Sequence, residues 1–396
     1  VLTQLEQALL SVDDPRQQRL VKYRRELHQR PEISGDERET AGYIARVLER
    51  LPVDRRTTAV GGHGVVADIK GRLPGHSVLV RADMDGLPLV EASNEEFASK
   101  NSGVMHACGH DVHMAIGLEL AAALAAHRDR LPGMARIVFQ PAEERAGGAQ
   151  PMIAAGVLDG VDRVVGLHVW SELPTGKVSI RPDVVMASAD MFRLTIKGKA
   201  GHGAQPHLTI DAVTIAAQVV SALQTLASRE TAPTSPVVIT IGSIHGGSAG
   251  NIVAGEVVLQ GTLRTFDKDV RDRLLQRIEE LASGIARSMR GDCSFHLESE
   301  APPVVNDAAI AAQVSAAAES VLGAHNLASF PALMVGEDFA YFLEARPGCF
   351  FLLGGEPPGG HSVHHTPSFR IDEGCLAIGY RVMTAAVLRL LTPQHP

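Results

Sequence analysis

The sequence predicts an α/β protein: a central sheet flanked by helices, interrupted by a smaller inserted α+β domain. Two observations carry this. Apolar runs of strand length alternate with longer helical segments over residues 1–181 and again over 298–396. Between them, over 182–297, the segments follow the order β-α-β-β-α-β of a ferredoxin-like split unit.

Each element has its own justification. The stretch VLTQLEQALLSVDDPRQQRL at the N-terminus reads as an amphipathic helix carrying acids, not as a leader peptide. HSVLVRAD (76–83) is an apolar run ending in an acid, and ARIVFQPAEE (135–144) is a strand running into carboxylates. Between them DVHMAIGLELAAALAAH (111–127) is an Ala/Leu-rich helix. VDRVVGLHVW (161–170) is a further strand, expected to end near His168. In the insert, MFRLTIKG, PVVITIGSI, VVLQGTLRTF and CSFHLES are strands, and TIDAVTIAAQVVSALQTLAS and KDVRDRLLQRIEELASGIARSM are helices. Afterwards the strand GCFFLLG and the helix CLAIGYRVMTAAVLRLL return to the first domain, separated by a Gly/Pro-rich loop, GGEPPGGHSVHH.

Bulk properties exclude several classes. The 396 residues suffice for two domains. A formal net charge of −8 without a basic run, and only 4% aromatics, argue against a nucleic-acid partner. No apolar run reaches the ~18 residues of a membrane helix, so no membrane is expected. The cysteines, at 108, 293, 349 and 375, form neither a CxxC pair nor a disulfide framework, which fits a reducing cytoplasm. Cys349 and Cys375 read as core thiols.

The polar residues fall at the ends of elements. Asp83 and Asp85 close one strand, Cys108 and His110 precede a helix, and Glu143 and Glu144 follow IVFQ. His168 ends another strand, and His364 and His365 lie in the loop after a fifth. Loops leaving the carboxyl ends of strands build the crevice of an α/β sheet, so five distant segments can converge. Imidazole, thiolate and carboxylate together suit zinc, manganese, cobalt or nickel. Five protein donors exceed the three of one catalytic zinc and suit two ions. One glutamate of the adjacent pair can then bind metal while the other acts as a base. Taken singly, a histidine at a strand end, a glutamate pair and a polar helix start are each common without function. Their joint placement is not.

The strings RADMDGLP, MHACGHDVH, QPAEE, GLHVW, GKAGHGAQPH, GTLRTF, GEDFAYF and HHTPSF occur in the order found in M20-type metallopeptidases. The chain most resembles the subgroup of hippurate hydrolases, N-acyl-amino-acid amidohydrolases and auxin-conjugate hydrolases, over nearly its whole length. The resemblance implies a zinc-peptidase-like catalytic domain (1–181 and 298–396) holding two divalent ions on Cys108, His110, Glu144, His168 and His365. It implies Glu143 as general base and Asp85 as an acid that orients a ligand. His365 is preferred to His364 because HTPSF matches the family string there. Asp83 and His113 are left outside the ligand set. In the 182–297 domain, a lid and dimerisation domain by the same likeness, His202 resembles the histidine that polarises the scissile carbonyl from the partner subunit. Asn251 and Arg264 resemble groups that hold the substrate's carboxylate. One departure stands out: Ala254 of NIVAGE occupies a position where the family commonly has proline, which removes a fixed φ beside Asn251.

The expected activity is hydrolysis of the amide bond of an N-acyl amino acid by a homodimer or a dimer-based homo-oligomer formed through 182–297. A carboxypeptidase acting on short peptides needs the same machinery. A non-catalytic protein that merely binds a small acid would be expected to have lost Glu143 or a ligand, and none is lost.

Overall fold

The computed structural model describes residues 4–393. Residues 1–3 of the expected N-terminal helix and 394–396 of the closing segment lie outside them; the described part forms the helices Gln4–Leu10 and Asp14–His28. Two compact units emerge. One gathers the chain up to Val185, Val305–Pro331 and everything from Asp338 onward; the other is Met186–Val304 with Ala332–Glu337.

The first unit is built on a seven-stranded sheet. Its centre is four parallel strands in the order Pro132–Gln140, Leu73–Asp83, Arg163–Pro174, Gly348–Glu356. The hairpin Arg55–Val60/Gly64–Lys70 extends one side in antiparallel register, and Val178–Ser179 extends the other. The central strands are mainly apolar where they are buried, because helices cover a parallel sheet, with polar exceptions such as Arg81, Asp83 and Gln140 toward their carboxyl ends. His110–Ala126 and Gly374–Leu391 join Asp14–His28 and Ala308–Leu322 in the same apolar core. The Gly374–Leu391 helix is long and apolar enough to cross a membrane by length and composition, which the sequence reading overlooked. Here it is a core element, with Cys375, Tyr380 and Leu390 fully buried.

One expected boundary shifts. The strand carrying His168 does not end there but runs to Pro174, because its pairing with Gly348–Glu356 continues past the histidine. His168 instead sits just beyond the last pairing with the neighbouring strand, Arg81 with Gly166, so its side chain still reaches the crevice edge.

The second unit has a four-stranded antiparallel sheet in the order Val237–Gly246, Glu256–Thr265, Asp190–Lys197, Asp292–Ser299. The helices Ala212–Arg229 and Lys268–Ser288 cover one face, each started by an aspartate, Asp211 and Asp267, that accepts first-turn N–H groups. This is the split β-α-β-β-α-β arrangement. Its limits differ from 182–297 at both ends: it begins at Met186, leaving 182–185 to the first unit, and it extends past 297. Ala301 and Ala189 exchange backbone hydrogen bonds at 2.9 Å, and Ala187 N–H donates to Leu333 at 2.9 Å, so 298–304 and 332–337 belong here. Backbone bridges of this kind leave no periodic trace in the sequence.

Candidate metal centre

The carboxyl ends of the parallel strands bring together residues far apart in the chain. Leu73–Asp83 delivers Asp83 and, two residues on, Asp85. After Pro132–Gln140 the chain makes a tight turn over Glu143–Arg145, with Ala142 at φ 54° and Ala146 at φ 49° on either side. Gly109, at φ 91°, starts the His110 helix; a Cβ there would meet Val169 Cγ1 at 2.4 Å, so glycine is required where Cys108 and His110 approach the strand. His365 is itself left-handed (φ 59°), held by its N–H on the Ala107 carbonyl at 2.9 Å.

Hydrogen bonds fix which nitrogen of each histidine is free. His110 Nδ1 donates to the Asp85 carbonyl (2.9 Å) and lies 3.2 Å from Asp85 Oδ1, which leaves Nε2 without a proton partner and aimed inward. His168 Nδ1 donates to the Val169 carbonyl at 2.7 Å, and its Nε2 faces Cys108 Sγ at 3.4 Å. His365 Nε2 lies 3.3 Å from Cys108 Sγ and 3.3 Å from Glu144 Oε1. The His364 Nε2 is taken by the Ser171 N–H at 3.2 Å and its ring stacks on Trp170, while its Nδ1 lies 4.0 Å from Cys108 Sγ, farther than His365 Nε2. Cys108, His110 and His168 form one cluster of donor atoms within 4.8 Å of one another, and Cys108, Glu144 and His365 form a second sharing the thiol. His110 Nε2 also lies 3.9 Å from both Glu143 Oε2 and Glu144 Oε1.

Asp83 belongs nearer to this group than the sequence reading put it. Its Oδ2 is 3.6 Å from His110 Nε2, and Asp83, His110 and Glu143 form a third buried donor cluster. Asp83 is also bound by Arg81 at 2.5 Å and by His113 Nδ1 at 2.5 Å. His113 Nε2 accepts the Val169 N–H at 2.9 Å, so its Nδ1 carries the proton given to Asp83. Arg81, fully buried, also binds Asp338 at 3.0 Å, and Asp338 accepts the N–H groups of Gly148 and Ala149 at 3.2 and 3.0 Å. Arg81 was visible in the sequence only as a charge inside an apolar strand, and Asp338 only as part of the string GEDFAYF, with no role attached; Ser34 and Glu37 gave no signal.

Two observations test whether these residues fit metal. His110 Nε2 and Glu144 Oε1 are buried and have no hydrogen-bond partner, which is costly for polar atoms unless a ligand completes them. The electrostatics ask for positive charge at the same place. Burial alone would lower the affinity of His110 for a proton, but Asp83 and Asp85 overcome it and hold the imidazole up at about 10. Burial, reinforced by Glu144 and Glu143, drives the Cys108 thiol well above its ordinary range, so its thiolate forms only beside a compensating cation. Burial keeps His168 well below the usual histidine range, hence neutral and able to donate a lone pair. The donor set fits metal.

The residues expected in the second unit are placed as follows. His202 pairs with Ile252 in a short antiparallel ladder, and Asn251 accepts the Gly203 N–H on its carbonyl at 2.8 Å. This ladder holds the segment that proline would otherwise stiffen. His202 Nδ1 accepts the Ala204 N–H at 3.0 Å, so its exposed Nε2 carries the proton. Arg264 Nη1 is buried without a hydrogen-bond partner, and burial lowers the guanidinium's proton affinity. The nearby Asp190 is instead bound by Arg271 at 2.6 Å.

The model of peptidase family M20/M25/M40 matches residues 79–389. The chain belongs to this family. An N-acetyl-L-cysteine deacetylase of Bacillus subtilis (strain 168) is 40% identical over 378 residues, covering 95% of this chain and 89% of the relative. Thermostable carboxypeptidase 2 of Saccharolobus solfataricus is 37% identical over 91% of this chain and 92% of its own. Among solved structures, a dinuclear metal binding peptidase from the M20 family of Bacillus subtilis superposes with a TM-score of 0.83 at 34% identity, over 96% of this chain and 99% of that one. The protein is a hydrolase of amide bonds.

Proposed function

We propose that this hydrolase removes the acyl group from N-acyl amino acids, using two divalent ions held by Cys108, His110, Glu144, His168 and His365. The observation that carries the metal reading is the pair of buried atoms without a hydrogen bond, His110 Nε2 and Glu144 Oε1, clustered with the Cys108 thiol and the imidazoles of His168 and His365. The deacetylase relative supports the substrate class. When bound, the ions supply Lewis acidity toward the scissile carbonyl and the attacking water.

The chain's own residues do the rest. Glu143 takes a proton from the attacking water as its oxygen bonds to the carbonyl carbon. The same carboxyl returns the proton to the amide nitrogen as the C–N bond breaks, giving a carboxylic acid and a free amino acid. His202 donates its Nε2 proton toward the carbonyl oxygen, where charge develops. Arg264 offers its unmatched guanidinium edge to the substrate's α-carboxylate, with Asn251 beside His202 as a further polar contact. Asp85 keeps the His110 ring turned by holding its Nδ1.

The proposal includes a homodimer formed through the second unit and, from four free, buried cysteines, a reducing cytoplasmic setting. A carboxypeptidase reading has its own support in the Saccharolobus relative, and a peptide's terminal carboxylate would suit Arg264 equally. Purified protein reconstituted separately with Mn²⁺, Zn²⁺, Co²⁺ and Ni²⁺ should be offered N-acetyl and N-benzoyl amino acids beside dipeptides. Faster turnover of the N-acyl amino acids is expected. Preference for the dipeptides would establish the peptidase reading, and inertness toward both classes with every metal would overturn the proposal.

A further inference from the structure

The segment PEISGDE (31–37) supplies no donor to the metal centre, yet it is tied to two of the loops that do. Ile33 bridges Gly86, whose N–H donates to the Glu32 carbonyl at 2.7 Å. Ser34 Oγ donates to Asp85 Oδ2 at 2.7 Å. At the other end of the segment, Glu37 is completely buried. Its Oε1 accepts two backbone N–H groups at 2.8 Å, from Gly35 and from Ala142.

Ala142 is the residue immediately before Glu143, and its φ of 54° is left-handed. A side chain disfavours that region, so the turn needs external restraint. It closes with the Ala146 N–H on the Glu143 carbonyl at 2.7 Å, and the Glu144 N–H is taken by Asp85 Oδ2 at 3.0 Å. At the turn's entry the Ala142 carbonyl accepts the Gly147 N–H at 3.0 Å, and the Ala142 N–H goes to Glu37.

The local chemistry shows that Glu37 is not simply serving its own helix. It stands directly before Arg38–Glu49, but its side chain makes no cap bond. Glu32 does that work from five residues upstream, accepting the N–H of Glu39 at 3.1 Å and of Thr40 at 2.8 Å. The carboxyl of Glu37 is thereby released to reach across 105 positions of sequence to the Ala142 turn. Its second oxygen is buried with no hydrogen-bond partner, an expensive arrangement for a residue with only a packing role.

We infer that Glu37 is a positioning residue for the general base: by fixing the Ala142 N–H it sets the direction in which the Glu143 side chain leaves its turn. This rests on Glu143 being the base. A carboxylate that must meet a water and later a leaving nitrogen tolerates little drift, and ~1 Å of misplacement costs on the order of 10²-fold in rate.

Glu37→Ala, Glu37→Gln and Glu143→Gln are to be compared with wild type for kcat, KM and metal content on the best N-acyl amino acid. Glu37→Ala is expected to keep its metals and a KM within about threefold while kcat falls by ~10²-fold. Glu37→Gln keeps an oxygen that accepts the Ala142 N–H, and should recover kcat to within about tenfold of wild type. A Glu37→Ala enzyme with wild-type kcat overturns the inference, as does a kcat loss that tracks metal loss or that Gln fails to rescue. Should Glu37→Ala not fold, Glu37→Asp carries the test: it keeps the charge and withdraws it by one methylene, so kcat should fall at constant KM and metal content, and an unchanged kcat overturns the inference. The Glu143→Gln control separates the two readings. Turnover by that variant removes the base assignment itself; a dead Glu143→Gln beside fully active Glu37 variants removes only the role of Glu37.

Discussion

His28 offers a prediction whose size can be worked from the structure. It lies at the end of the Asp14–His28 helix, buried, with Nδ1 2.9 Å from Asp111 Oδ2 and Nε2 3.1 Å from Glu91 Oε1. Arg24 also binds Asp111 at 3.1 Å, and Phe97 and His106 pack against the His28 ring. Burial works against the charged ring, but Asp111 and Glu91 outweigh both burial and the repulsion of Arg24, raising His28 to about 9. The gap between about 9 and an unfolded value near 6.5 corresponds to roughly 3 kcal/mol of stabilisation. Because the folded value is the higher one, this contribution is complete below pH ~6.5 and disappears as pH rises through about 9. Thermal melts of wild type and His28→Gln, both saturated with the same metal, should therefore differ most near pH 6 and converge toward pH 10. A difference that stays constant over that range would refute the reasoning. The position matters for the proposed function because Asp111 adjoins His110, a proposed metal ligand, at the start of the His110–Ala126 helix.

Three further outcomes are expected. Cys108→Ser should lower metal content and reduce metal affinity by at least the ~10–100-fold that loss of an outer partner costs, while Cys349→Ser and Cys375→Ser keep full occupancy; metal analysis decides. Arg264→Ala should lose roughly 2–5 kcal/mol of transition-state binding on substrates with a free carboxylate and far less on their amides, and equal losses would mean a structural role. A doubly tagged heterodimer of His202→Ala and Glu143→Gln chains should recover about half of wild-type activity if His202 serves the partner's site, since one site then holds both residues; a dead heterodimer would confine His202 to its own site.

The candidate segments were legible because each sits where a parallel strand or its loop ends, and residue type at such a place carries chemical meaning; the choice of Cys108, His110, Glu144, His168 and His365 among them came from the family resemblance. The structure gathers the donor atoms of these five residues. His168 was assigned to a strand end although its strand continues, because pairing with a neighbour, not local composition, decides where a strand stops. What holds these residues was far less visible. Arg81 left a faint mark, a charge among apolar neighbours. Asp338 showed only as part of the string GEDFAYF, without a role, and Glu37 left no mark, since a carboxylate that binds distant backbone N–H groups obeys no periodicity. The transfer of 332–337 to the second unit likewise depends on one backbone bridge, Met186 with Leu333.

The division of labour between the two adjacent glutamates is the most direct test of the proposed chemistry. Glu143→Gln and Glu144→Gln should each be reconstituted, their metal content measured, and their turnover of an N-acyl amino acid followed. Glu143→Gln is expected to hold two metals per chain and lose nearly all turnover, while Glu144→Gln loses metal as well. Full turnover by metal-loaded Glu143→Gln would contradict a general base at that position.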